Sequence, residues 1–240
     1  MISSEHTLSD EEIPFSHMLD IEIDGVKIMC LRLTFMGELG FELHVPRAES
    51  ANIYKLLRTC GDEYEKETGM PVRDAGYRAI DSLSAEKSFR HWHADLTTKD
   101  TPLEAGIGFT VLKKLKRTGA DAPDFIGRKA LEEQRANGLK RKLVCLILDD
   151  ESIPLHGMET IWRDGKCVGL IKSTAFGHTI GKTIAYGYVD AEKAGAKKIT
   201  NKWLEAGEWQ MGVTGELHDA TLSLKAPFDP DNNRIRDVYE

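Results

Sequence analysis

The chain has 240 residues, enough for one large domain or for two smaller domains with cores of their own. Hydrophobic residues make up 41% and charged residues 30% of it, and the net charge of −7 gives no electrostatic reason to expect binding to nucleic acid or to an anionic membrane surface. No apolar run approaches the roughly 20 residues of a membrane-spanning helix, so we expect no membrane segment.

The four cysteines indicate a reducing compartment. Cys30, Cys60, Cys145 and Cys167 are widely spaced, form no C-x-x-C pair, and each sits in or beside an apolar segment. This pattern favours free thiols that act as small hydrophobic side chains. The first twelve residues are acidic and polar, unlike a secretory signal or an arginine-rich transit peptide, so no targeting segment is recognisable.

The first part of the chain predicts a β-hairpin followed by two helices. Residues 1–16 are polar and indicate a loosely docked arm. A strand from His17 to Ile23 leads into Asp24-Gly25, a two-residue hairpin turn, after which the return strand begins. Helices are predicted from Ala48 to about Cys60, where apolar residues mark one face, and from Ala75 to Phe89.

The return strand and the glycines that follow it are the most informative local feature. Apolar side chains occupy alternate positions before and after the glycines, in the row Met29, Leu31, Leu33, Phe35, Phe41, Leu43 and Val45. Glu42 and His44 are therefore expected to face away from this apolar row. Glu38 in the glycine turn and Glu42 beyond it are both candidates for binding a ligand rich in N–H donors. The alternative interpretation is a solvated sheet face.

The second part of the chain predicts a change of architecture. Gly106–Leu112 is expected to be a strand, and Asp124 to begin a short helix that closes at Asn137-Gly138. Short strands separated by glycine-containing turns then predict a small antiparallel barrel or sandwich. These strands are expected at Lys142–Leu148, Thr160–Trp162, Cys167–Ile171, Thr183–Val189, Lys197–Trp203 and Ala220–Leu224. We therefore predict two domains, residues 1–138 and residues 139–240.

The sequence contains no complete motif for metal binding, phosphate binding, dinucleotide binding or catalysis. His91–Asp95 places two histidines and an aspartate at alternate positions, but no further ligand cluster is recognisable, and we predict no metal site. Gly177–Thr183 has only three residues between its glycines, one fewer than a phosphate-binding loop needs. No G-x-G-x-x-G motif occurs, and Ser82 and Ser84 have no recognisable base, so we assign no catalytic residue.

Several longer stretches carry a family resemblance. They are Phe35–His44, Ala75–Leu83, Glu86–Leu96, Pro102–Gly106, Arg141–Cys145, Lys182–Tyr188 and Ala226–Pro230. With them the chain resembles the C-terminal part of the sarcosine dehydrogenases, from about Asp10 onward. These belong to the wider folate-binding family of the glycine-cleavage aminomethyltransferases (T-proteins), with dimethylglycine dehydrogenase.

The resemblance implies an α+β fold, namely the second half of an aminomethyltransferase-like folate-binding domain followed by a small antiparallel β-barrel. It implies a mitochondrial flavoprotein oxidoreductase of one-carbon metabolism, which demethylates sarcosine to glycine oxidatively and passes the one-carbon unit to tetrahydrofolate. FAD is expected only in an upstream domain, which would be a partner of this portion. The first half of the folate domain, with the family's catalytic aspartate, would also lie upstream of Met1. The resemblance implies that the protein is located in the mitochondrial matrix.

The resemblance also implies a set of folate-binding residues. Glu42 takes the place of the carboxylate that binds the amino and ring N–H groups of the pterin, and Leu43 and His44 adjoin it. Phe35 and Phe109 stand where relatives place aromatic folate contacts, often tyrosines, whose hydroxyls this chain lacks.

Ser84 stands where the aminomethyltransferases and dimethylglycine dehydrogenase have an arginine, and Asp81 and Asp95 match positions other than the catalytic aspartate. The alternative function is a non-enzymatic folate-binding or regulatory module related to the pyruvate dehydrogenase phosphatase regulatory subunit. The segment His91–Asp95 is more similar to the sarcosine dehydrogenases.

Overall fold

The computed structural model describes residues 7–117, 119, 122–150, 153–236 and 238. The chain divides into two compact units, the first formed by Met1–Asp81 with Asp231–Glu240 and the second by Ser82–Pro230. These compact units divide the chain at other residues and do not test the two predicted domains, so the boundary near residue 139 stays a prediction. No helix among the described residues is long and apolar enough to cross a membrane.

The first unit contains an antiparallel sheet and a long helix. Among its described residues the strands are β1 (Met18–Ile23), β2 (Val26–Leu31) and β3 (Glu42–His44), in the spatial order β1-β2-β3. Asp24 and Gly25 both have positive φ values, 50° and 76°, which confirms the predicted hairpin turn. Helix α1 (Ser50–Thr68) continues well past Cys60, the predicted end, and stops at Gly69, which has the left-handed conformation of a helix C-cap.

The buried face of this sheet differs from the prediction. Ile28 and Cys30 are buried and pack in a cluster with Ile21, Ile23 and Ile53. Met29 and Leu31, which the alternation placed in the core-facing row, are only half-buried. The apolar signal was ambiguous here because both phases of β2 carry apolar side chains. After the glycines the prediction is confirmed, since Phe41, Leu43 and Val45 pack against this cluster.

A buried arginine follows β2. Arg32 is 1% exposed and donates hydrogen bonds to the carbonyl oxygens of Ile13 and Ile235, at 3.3 and 3.2 Å. Its Nη2 also lies 3.0 Å from a carboxylate oxygen of Asp10. The guanidinium therefore ties residues from both ends of the chain to the sheet of the first unit.

The other α-helices among the described residues are short. They are α2 (Tyr77–Glu86), which begins in the first unit and ends in the second, α3 (Phe109–Leu115), α4 (Arg128–Asn137) and α5 (Asn201–Glu205). The predicted strand Gly106–Leu112 is wrong, because most of this segment lies in α3. The predicted strand Lys197–Trp203 is also wrong. Thr200 begins α5 as an N-cap, and its Oγ1 accepts a hydrogen bond from Trp203 N at 3.1 Å.

The predicted barrel is confirmed. In the described part of the second unit the strands are β4 (Arg141–Leu148), β5 (Thr160–Arg163), β6 (Lys166–Gly177), β7 (Lys182–Asp190), β8 (Trp209–Val213) and β9 (Glu216–Ser223). They close antiparallel in the order β4-β7-β6-β5-β8-β9, and β9 pairs back with β4. The interior is filled by Leu146, Ile161, Val168, Ile171 and Met211.

A second layer covers part of the outside of the barrel. Leu143, Cys145, Tyr186 and Tyr188 project from β4 and β7 and form a buried cluster that includes Ala85 of α2. The hydroxyl of Tyr186 donates a hydrogen bond to the carbonyl oxygen of Ala85 at 2.5 Å. The segment after residue 82 is thereby held against the barrel within the second unit.

Candidate functional site

Strand β3 presents two polar side chains on the exposed face of the sheet. Glu42 and His44 have side chains that are 51% and 52% exposed, with 3.6 Å between Glu42 Oε2 and His44 Nε2. Between them Leu43 pairs with Cys30 of β2 and turns its side chain to the core of the first unit. The predicted alternation is confirmed at these three positions. The carboxylate of Glu42 is therefore accessible to a ligand on the exposed face of the sheet. Leu43 can offer a ligand on that face only its backbone.

The glycine turn before β3 separates the two candidate carboxylates. Gly37 has φ of 78°, and its N–H donates a hydrogen bond to Thr34 Oγ1 at 3.0 Å. Glu38 lies within 4.0 Å of Arg234 Nη1, so its carboxylate already faces a cation of the same unit. A Cβ on Gly40 would lie 3.1 Å from the carbonyl oxygen of Leu33, so the turn is closely folded. Of the two, Glu42 is the carboxylate that the described ion pairs leave without a Lys or Arg partner.

The two aromatic candidates lie in different units. Phe35 precedes the glycine turn in the first unit and is 56% exposed, although the alternation had placed it in the apolar row. Phe109 is the first residue of α3 in the second unit and is 77% exposed. The structure therefore brings Glu42, Leu43 and His44 together on one strand, and both phenylalanine rings are accessible.

The His91–Asp95 segment is a tight turn held by its aspartate. Asp95 Oδ2 accepts a hydrogen bond from His91 N at 2.6 Å, and Oδ1 accepts one from Ser173 Oγ. His93 has φ of 70° within the turn. No group of three or more His, Cys, Asp or Glu side chains among the described residues is arranged to hold a metal ion. The acidic residue of this segment thus orders the local backbone.

The Gly177–Thr183 segment is not a phosphate loop, but its backbone binds a carboxylate of the protein itself, that of Glu86. It forms the turn between β6 and β7, and the N–H groups of Thr179 and Ile180 donate to Glu86 Oε1 at 2.7 and 3.0 Å. Glu86 is 1% exposed. Ser82, considered above as a nucleophile, is buried and donates to the carbonyl oxygen of Phe176 at 2.6 Å. Sequence reasoning missed these contacts because their partners lie about 90 residues apart.

The α+β fold with its closed antiparallel barrel is that of the aminomethyltransferases. The solved structure of glycine cleavage system aminomethyltransferase T from Bartonella henselae is similar, with a TM-score of 0.70 and 25% identity, over 91% of this chain and 53% of that chain. The GCVT N-terminal domain matches residues 1–115, and the glycine cleavage T-protein C-terminal barrel domain matches residues 141–229. The chain belongs to the glycine-cleavage T-protein family.

Two curated proteins show which members of the family this chain is similar to in sequence. Mitochondrial sarcosine dehydrogenase of Mus musculus is 44% identical over 232 residues, which is 97% of this chain and 24% of that protein. The mitochondrial pyruvate dehydrogenase phosphatase regulatory subunit of Mus musculus is 33% identical over 208 residues, 84% of this chain and 22% of that protein. The resemblance to the sarcosine dehydrogenases is therefore confirmed, and the chain spans about a quarter of the length of these relatives.

Proposed function

We propose that the chain is the C-terminal, folate-binding portion of a sarcosine dehydrogenase-like flavoenzyme. The whole enzyme would demethylate sarcosine to glycine oxidatively, and this portion would help to capture the one-carbon unit on tetrahydrofolate. The observation that carries the proposal is the 44% identity with mouse sarcosine dehydrogenase along 97% of the chain. The names of the relatives also support a mitochondrial location.

The proposed ligand contact is the carboxylate of Glu42 on the pterin ring. The pterin presents an amino group and an adjacent ring N–H side by side, and a carboxylate offers two acceptor oxygens at matching spacing. Glu42 supports this role because its side chain is half exposed on β3, an edge strand of the sheet. Phe35, in the same unit, would supply a ring contact, and His44 would lie beside the carboxylate. A role of Phe109 in folate binding is proposed from the family resemblance alone.

The proposal assigns FAD and the flavin chemistry to a domain outside these residues. None of the residues proposed here is catalytic, and neither Asp81 nor Asp95 is offered as the family's catalytic aspartate. We therefore expect the purified chain to carry no flavin and to show no sarcosine turnover. Bound flavin or measurable turnover in the 240-residue chain would contradict this assignment.

A titration with tetrahydrofolate tests the role of Glu42 in the chain itself. We expect weak binding at most, because the resemblance places half of the folate domain elsewhere. Glu42→Gln should weaken any saturable binding by about tenfold or more, since it removes a charge-assisted pair. Glu22→Gln on β1 changes another exposed carboxylate of the same sheet and is the matched control. Equal affinities of the two variants would refute the assignment.

A chimera tests the function when the chain alone binds too weakly. The corresponding segment of mouse sarcosine dehydrogenase would be replaced by this chain, and sarcosine oxidation and free formaldehyde would be measured with tetrahydrofolate present. We expect the chimera to oxidise sarcosine and to release little formaldehyde. The Glu42→Gln chimera should oxidise sarcosine at the same rate but release more formaldehyde. If both chimeras release the same amount, Glu42 has no part in one-carbon capture.

The second candidate is a non-enzymatic regulatory or folate-binding module. It is favoured by the 33% identity with the pyruvate dehydrogenase phosphatase regulatory subunit over 84% of the chain. The identity with sarcosine dehydrogenase is higher and covers more of the chain. A chimera that oxidises sarcosine but captures no one-carbon unit, with or without Glu42, would favour this second candidate.

A further inference from the structure

A small cavity with a basic lining lies beside β4 in the second unit, next to the part of that strand that β9 does not pair. Its volume is about 210 Å³, far above the roughly 10–15 Å³ that a single water needs and below the size of most pockets for larger organic ligands. It lies where the segment after α2 and the residues that follow β9 meet β4. The polar residues that line it are Ser88, Arg90, Lys142, Ser223 and Lys225.

The charge of this lining is of one sign. Arg90, Lys142 and Lys225 contribute cations, and no Asp or Glu is found among the described residues that line the cavity. Lys142 Nζ donates a hydrogen bond to the side-chain oxygen of Asn201 at 2.9 Å, which is a neutral partner. Burial lowers the pKa of the Lys142 ammonium, because its charged form loses hydration. The lining therefore carries three cationic side chains and no carboxylate that would neutralise them.

The guanidinium of Arg90 is fixed by its neighbours, but not all of its N–H groups donate hydrogen bonds. Its Nε donates to the carbonyl oxygen of Ala105 at 3.3 Å, and its guanidinium carbon lies 4.4 Å from the centre of the Tyr186 ring. No described residue accepts a hydrogen bond from its terminal nitrogens, and Nη1 is shielded from solvent. Nη2 is on the side of Gly106, another residue of the lining, since a Cβ there would lie 3.8 Å from it. A fixed guanidinium with unused donors is suited to bind an oxyanion.

We propose that this cavity binds a small oxyanion, such as the phosphate or carboxylate group of a ligand, between Arg90, Lys142 and Lys225. The binding is non-covalent. Cys145 also lines the cavity, but burial raises the pKa of its thiol to about 11, so it is neither a competing anion nor a nucleophile at neutral pH. None of the residues proposed for the pterin lines the cavity, so the two proposals stand or fall separately.

Isothermal titration of the full chain with sodium phosphate and with sodium acetate, at constant ionic strength, tests the site. We expect saturable binding of one anion per chain, and the anion that binds more tightly tells whether the natural ligand carries a phosphate or a carboxylate. Arg90→Gln should weaken binding by about tenfold or more, because one charge-assisted contact is lost. Lys225→Gln should weaken it less, because Lys225 is exposed at the mouth.

The control removes the same charge elsewhere. Lys27→Gln changes an exposed lysine of β2 and should leave anion binding unaltered. Circular dichroism would check that each variant is folded, and Lys225→Gln keeps the test decisive if Arg90→Gln does not fold. Absence of saturable binding of both anions by the wild type overturns the proposal. So does an equal loss of affinity in Lys225→Gln and Lys27→Gln.

Discussion

The carboxylate of Glu86 is bound by Thr179, whose backbone N–H and hydroxyl donate to its two oxygens at 2.7 and 2.8 Å. Ile180 N adds a third hydrogen bond at 3.0 Å, and the carboxylate is buried. Gly177 leaves the space for this contact, because a Cβ there would lie 2.9 Å from Glu86 Oε1. The last turn of α2 is thereby fixed to the β6–β7 turn of the barrel.

Replacement of Glu86 by glutamine should destabilise the second unit. An amide offers one acceptor oxygen and no charge, so we expect the free energy of unfolding to fall by about 1–3 kcal/mol. Urea denaturation followed by circular dichroism measures this change. Glu133→Gln, on the exposed side of α4, is the control and should change stability little. Equal stabilities of the two variants would show that the three hydrogen bonds contribute nothing.

Asp100 should contribute to the loss of stability in acid. Burial alone raises the pKa of this carboxyl, but hydrogen bonds from Thr97 and Arg141 outweigh it, and the pKa lies below its ordinary value of 3.8. Asp100 Oδ1 is 2.7 Å from Arg141 Nη1. A carboxyl whose pKa is lowered by folding contributes its stability above the pKa of the unfolded chain, and this stability is lost as the pH falls through the folded value.

The corresponding experiment compares stability at pH 7 with stability below pH 4. Asp100→Asn should be less stable than the wild type at pH 7, and its stability should decline less steeply as the pH falls below about 4. Asp20→Asn, an exposed position on β1, serves as the control. A variant whose pH profile runs parallel to that of the wild type would show that Asp100 is not the group responsible.

The thiols should differ in reactivity in the native state. Cys167 is exposed, whereas Cys30 and Cys145 are buried and burial raises the pKa of both thiols. We expect a disulfide reagent at pH 8 to modify Cys167 first and to reach Cys30 and Cys145 only after unfolding. Peptide mapping by mass spectrometry identifies the labelled residues, and Cys167→Ser should remove the fast phase. Rapid native labelling of Cys145 would contradict the packing of β4.

Gly169 should be the least replaceable glycine of the barrel. A Cβ at this position would lie 2.0 Å from the carbonyl oxygen of Tyr188 on β7, so the strands must separate to admit a methyl group. We expect Gly169→Ala to lower the free energy of unfolding by about 1–3 kcal/mol or more. Gly76→Ala, where a Cβ meets nothing within 4 Å, is the matched change. Comparable denaturation midpoints would disprove this close approach.

Local structure could be predicted from the sequence where a segment carried only one pattern. Asp24-Gly25 was expected as a hairpin turn, and both residues have the positive φ values that such a turn requires. Asp164-Gly165, between β5 and β6, has the same turn chemistry and also has positive φ values. The exposed side of Glu42 and His44 followed from alternation alone. The chemical role of Glu42 did not, because a half-exposed carboxylate on a sheet edge is equally compatible with solvent.

The wrong predictions arose where short patterns carry two meanings. Phe109 and Val111 alternate as in a strand, but Leu112 and Leu115 complete a helical spacing, and the seven residues of α3 are too few for periodicity to decide. Thr200 has the chemistry of an N-cap, which was overlooked in a segment rich in β-forming residues. The basic cavity was beyond prediction, because Arg90, Lys142 and Lys225 are distant in sequence and line one cavity only in the folded second unit.

That closure has a consequence for synthesis on the ribosome. β4 is the first barrel strand to emerge, yet one of its edges waits for β9, with Leu146 opposite Leu222. Until residues 216–223 have left the exit tunnel, β4 displays unpaired N–H and C=O groups that other chains can join. Contacts so distant in sequence also slow folding. A nascent chain that stalls after β4 and before β9 therefore carries an unpaired strand edge that favours aggregation.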